Sequence, residues 1–88
     1  MALKRKPDSA ECYFNLATAF NDKGDSKQAA HHFRTSLRFD DQNAEAYYEL
    51  GLIFMKSEEP DEQEAAVKAL EKAIELKPDH QKAAAALK

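Results

Sequence analysis

The sequence predicts an all-α protein in which one helix–turn–helix unit is written twice. Three observations predict it. Displacing the chain by 34 residues sets Glu11 on Glu45, Tyr13 on Tyr47, Leu16 on Leu50, Ala17 on Gly51 and Phe20 on Phe54. Within each copy the key residues recur at i, i+3, i+4 and i+7, the spacing of one helix face. Turn-forming stretches (DKGDS, FDDQN, SEEPDEQ and LKPDH) separate the stripes. A repeat of this length is sought before any fold is assigned, because one such unit cannot bury its apolar face alone.

The elements follow in order. Residues 2–9, ALKRKPDS, align with SLRFDDQN and AIELKPDH, which close the two repeats, so 2–8 reads as the end of a preceding second helix. A first helix near 10–22 carries Tyr13, Leu16, Ala17 and Phe20. Gly24 is placed to end it in the left-handed conformation. A second helix near 26–39 carries Ala29, Phe33, Ser36 and Leu37. A third near 43–56 carries Tyr47, Leu50, Gly51 and Phe54, and a fourth near 60–76 carries Ala66, Leu70, Ala73 and Ile74. The second-helix stripes match at a shift of 37, so the second copy has three extra residues. These either lengthen its turn or add about one turn of helix. Residues 81–88 read as the start of a following or capping helix. The expected layout is a single domain over 1–88, with repeats at 10–43 and 44–80, cut from a longer array.

Gly51 falls in mid-helix, where Gly costs roughly 1 kcal/mol relative to Ala. Its repeat mate is another small residue, Ala17. The slot therefore demands smallness rather than a special backbone angle. On this reading Gly51→Ala is near neutral and Gly51→Leu overpacks the contact.

The pattern resembles the tetratricopeptide repeat. The resemblance spans nearly the whole chain. It rests on Tyr13, Leu16, Ala17, Phe20, Ala29, Phe33 and Ser36 in one repeat, and on Tyr47, Leu50, Gly51, Phe54, Ala66, Leu70, Ala73 and Pro78 in the next. Asp41 stands where the family often has the proline found at Pro7 and Pro78, and Ser36 replaces the usual Ala. The resemblance implies an α-solenoid segment in which each first helix packs closely on its own second helix, with Ala17 and Gly51 at the contacts. It also implies a concave, partner-binding groove. Its lining would be Glu11, Phe14, Asn15, Thr18, Asn21 and Asp22 from one repeat, and Glu45, Tyr48, Glu49, Leu52, Met55 and Lys56 from the other.

The residues add to that expectation. Tyr48, Leu52 and Met55 form a second stripe at i, i+4 and i+7, away from the Tyr47–Phe54 face. Aromatics and Met ringed by charge suit a binding surface, although Phe14 and Tyr48 also suit packing against neighbouring repeats. The expected function is a non-catalytic protein-interaction module for a basic, apolar peptide or partner segment. The alternative is an architectural or oligomerisation segment that self-associates through open ends at Leu3 and KAAAALK. One subclass of the family clamps a C-terminal carboxylate with Lys, Asn and Arg. Here Phe14, Thr18 and Glu49 fill such slots. A one-repeat shift that fits Asn15 puts Glu45 and Glu49 on the cationic positions, so a carboxylate is repelled.

Other chemistry finds little support. A net charge of −3 gives no general pull toward nucleic acid, and KRK at 4–6 reads as a basic last helical turn. Cys12, aligned with Ala46, reads as a small packed residue, and a single Cys excludes an internal disulfide. It suits a reducing compartment, so cytoplasmic location is the default expectation. His31 and His32 lack the i, i+4 spacing of a helical metal pair. Aligning Gly24 with a calcium loop puts Lys23 and Ala30 at ligand positions. The acidic run 58–64 reads as a solvated turn. No Gly-rich phosphate loop is present, so no catalytic, cofactor or metal residue is assigned and the chain is not expected to be an enzyme. No apolar run approaches membrane-spanning length, and the N-terminus lacks a signal-peptide core.

Overall fold

The computed structural model describes residues 8–86, with side chains from residue 10 onward. The expected helix end at 2–8, apart from Asp8, lies outside that range, as do Leu3 and Leu87. Five helices occupy the described residues: α1 (Asp8–Asp22), α2 (Ser26–Phe39), α3 (Ala44–Met55), α4 (Pro60–Leu76) and α5 (Gln81–Ala86). No strand occurs among the described residues. The chain divides between Asp41 and Gln42 into two compact units. In the first, α1 packs on α2; in the second, α3 packs on α4 and α5 lies against both.

The first turn is built as the sequence expects. Gly24 has φ +89°, the only positive φ among the described residues. Its N–H donates to Asn21 O at 3.0 Å, and the next N–H, of Asp25, donates to Phe20 O at 2.9 Å. Those two bonds form a Schellman motif, which satisfies carbonyls the helix leaves open. Asp25 then starts α2, its Oδ1 accepting the Gln28 N–H at 3.2 Å. Asn43 starts α3 in the same way, accepting from Ala46 N–H at 3.2 Å.

The three extra residues lie within α4, which has 17 residues against 14 in α2. Pro60 takes the first helical turn, where its missing N–H costs nothing. Asp61 and Glu62 follow it and complement the positive end of the helix dipole. Glu59 caps without a side-chain bond. Ser57 compensates, its Oγ accepting the Glu59 N–H at 3.0 Å and its carbonyl accepting Gln63 Nε2 at 2.9 Å.

In the first unit Ala17, Ala29, Phe33 and Ser36 are buried. Ser36, the departure from the family's usual Ala, has a structural reason. Its Oγ donates to Ala10 O at 2.8 Å, tying α2 to the start of α1. Ser36→Ala should cost about 0.5–1.5 kcal/mol, the net worth of one such bond. A urea titration followed by circular dichroism checks it; an unchanged midpoint would mean the bond contributes nothing.

In the second unit the buried set includes Ala46, Leu50, Gly51, Ile53, Ala66, Ala69, Leu70 and Ala73. The expectation that Gly51→Ala is near neutral is corrected here. A Cβ at Gly51 would lie 2.8 Å from Leu70 Cγ, 3.0 Å from its Cδ2 and 3.2 Å from Ala66 O. Leu70 is only 1% exposed, so its branch point has nowhere to retreat. In the first repeat Ala17 stands in the equivalent slot, and the residue matching Leu70 is Phe33.

Candidate functional site

The α1 residues singled out from the sequence lie along one helix. Glu11, Asn15, Thr18 and Asp22 are exposed, while Phe14 and Asn21 are half-buried. Phe14 meets Phe33 edge to face, with ring centroids 5.6 Å apart and planes at 65°. That geometry is a favourable packing arrangement, so the one large apolar residue of this set is engaged in the unit's interior. Thr18 Oγ donates to Phe14 O at 2.9 Å, which ties the hydroxyl to its own helix.

The α3 set is more open. Glu45, Met55 and Lys56 are exposed, and Tyr48, Glu49 and Leu52 are half-buried. Met55 is 46% exposed, a large apolar side chain in water. Tyr48 packs on the cluster of Leu70, Ala73 and Ala83. Burial raises the pKa of its hydroxyl, and the nearby carboxylates of Glu49 and Glu45 raise it further. The hydroxyl thus stays protonated at neutral pH and keeps a donor on this face.

His80 was not singled out from the sequence. It is 5% exposed and starts α5, its Nδ1 accepting the Ala83 N–H at 3.1 Å. Its ring centroid lies 4.9 Å from that of Tyr48, and its Nε2 lies 3.1 Å from Glu45 Oε2. The Nε2–Oε2 approach is off the line that a hydrogen bond requires, so it is a close charge–dipole contact rather than a formed bond. The signal that finds His80 is the repeat itself. A shift of 37 places it on Asn43, the cap of α3.

The remaining chemical candidates resolve into packing or exposure. His32 stacks on Phe20 at 5.3 Å and on Tyr13 at 6.0 Å, and Tyr13 stacks in turn on Phe39 at 5.7 Å. Cys12 is exposed, which corrects its reading as a packed residue. Its repeat mate Ala46 is fully buried. Among the described residues no three His, Cys, Asp or Glu side chains are grouped to hold a metal.

Both units thus pair a first helix with a small buried residue, Ala17 or Gly51, and a second helix with Ala29 or Ala66 buried behind it. A family model described as tetratricopeptide repeat matches residues 14–81. The chain belongs to the tetratricopeptide repeat family. Repeats of this family generally serve as protein–protein interaction modules, and typically without catalysis. A search among curated proteins returned no match. No helix among the described residues of this tetratricopeptide repeat protein is long and apolar enough to cross a membrane.

Proposed function

We propose that this tetratricopeptide repeat chain binds a peptide or partner segment on its first helices, with the α3 face supplying most of the contact. The observation that carries the reading is Met55, exposed beside half-buried Leu52, on the helix that also presents Glu45 and Glu49. An apolar anchor would seat on Leu52 and Met55. Lys or Arg flanking it would complement the two carboxylates. Glu11 and Asp22, exposed on α1, carry the same sign. The groove implied by the family resemblance enters this proposal through these faces. Apolar contact should supply most of the affinity, while the acidic groups set association rate and salt dependence. So small a surface should bind no tighter than the order of micromolar.

Titrating a basic, apolar peptide library by fluorescence anisotropy tests the reading. Leu52→Ala should weaken binding by about 1–2 kcal/mol, or roughly tenfold. Glu45→Lys with Glu49→Lys should shift preference toward acidic peptides. Unchanged binding in both variants would remove the α3 face as the site. The architectural reading would then gain ground. It draws on Leu16, 42% exposed, and on exposed Phe39, which offer apolar surface to another protein body.

A further inference from the structure

We infer that His80, lying outside the α3 helix, is a positioning residue for the partner-binding face, holding the Tyr48 ring and the Glu45 carboxylate from the start of α5. The inference rests on the reading of that face given above. Its basis is a division of labour between the two ring nitrogens. Nδ1 accepts the Ala83 N–H at 3.1 Å, so the neutral imidazole carries its proton on Nε2. That N–H lies 3.1 Å from Glu45 Oε2 and has no hydrogen-bond partner, although it is buried. A buried donor without a bond is costly, and the adjacent carboxylate offsets the cost only while it stays close. The buried ring therefore restrains a Glu45 side chain that is itself half exposed. The same ring lies 4.9 Å from Tyr48, tilted by 40°, and limits where the phenol can turn.

Two of the proposed contact residues are thus fixed by one side chain that the partner need not touch. An open surface pocket of about 280 Å³ adjoins it, lined by Glu45, Lys77, Asp79, His80, Gln81 and Lys82. Glu45 links this pocket to the α3 face. A basic residue of the partner that pairs with Glu45 would meet a carboxylate already oriented, so less rotamer entropy is lost on binding.

The repeat supplies the variant that separates the two roles. Asn43, at the equivalent position, caps α3 through its side-chain oxygen. His80→Asn should therefore keep the α5 cap while losing the ring. His80→Ala should lose both. In His80→Asn, amide exchange at Ala83 and Ala84 should match the parent, while the Tyr48 ring and Glu45 carboxylate resonances of the free chain shift. Affinity for a synthetic peptide carrying one Leu between Lys pairs should fall about threefold to tenfold. Unmoved Tyr48 and Glu45 resonances in His80→Asn would overturn the inference. So would parental affinity for the peptide. If the parent itself fails to bind the peptide, the binding reading fails, and the free-chain resonances alone decide the positioning role.

Discussion

Phe33→Ala should remove about 3–5 kcal/mol of stability, the usual cost of deleting a buried aromatic. Phe33 is the largest fully buried side chain among the described residues of the first unit. It also receives the edge-to-face contact from Phe14, a pair worth about 0.5–1.5 kcal/mol beyond its area. Native domains are stable by about 5–15 kcal/mol, so the variant should retain only a small margin. Loss of helical circular dichroism at much lower urea, with the α1 and α2 amides exchanging first, is the expected result. A variant melting within about 1 kcal/mol of the parent would mean that the ring's space is refilled by its neighbours.

The second large effect is at Gly51. Gly51→Leu should destabilise by about 1–3 kcal/mol, even though Leu is the better helix former by close to 1 kcal/mol. Packing outweighs propensity because the first added carbon already falls 2.8 Å from Leu70 Cγ, with the Ala66 carbonyl at 3.2 Å behind it. Gly51→Ala should show a smaller loss of the same sign. Pairing it with Leu70→Ala tests the cause. If Leu70 is the obstacle, the double variant should lose less than the sum of the single losses, by about 0.5 kcal/mol or more. Strict additivity in urea titrations, or a stabilised Leu variant, would show that the close approach is absent.

Much of the fold was legible because the information is local. The 3.6-residue stripes and the caps are properties of short stretches of chain, and they place α2 at Ser26–Phe39 and α4 at Pro60–Leu76 as expected. Gly24 was legible for the same reason, since a left-handed helix end selects Gly from its own backbone geometry. The second turn was less so. SEEPDEQ holds both turn formers and good first-turn residues, so the sequence left open whether the three extra residues lengthen the turn or the helix; the 17 residues of α4 against 14 in α2 put them in the helix.

The candidate face was only partly readable. Spacing gathers Tyr48, Leu52 and Met55 on one stripe, but spacing is blind to what lies above them. Leu16 and Leu50 hold the same slot, yet one is 42% exposed and the other 6%. Cys12 and Ala46 differ in the same direction. The repeat told us that Gly51 must be small; the branch of Leu70 set how small. Nothing along α3 announced that His80, which caps α5, would lie against Tyr48 and Glu45. The sequence by itself determined the helices, their repeat and the family, because hydrogen bonding and periodicity are settled within a few residues of chain. Exposure, clash and the company of His80 were decided only in the tertiary structure, because the atoms that cover a side chain come from other helices.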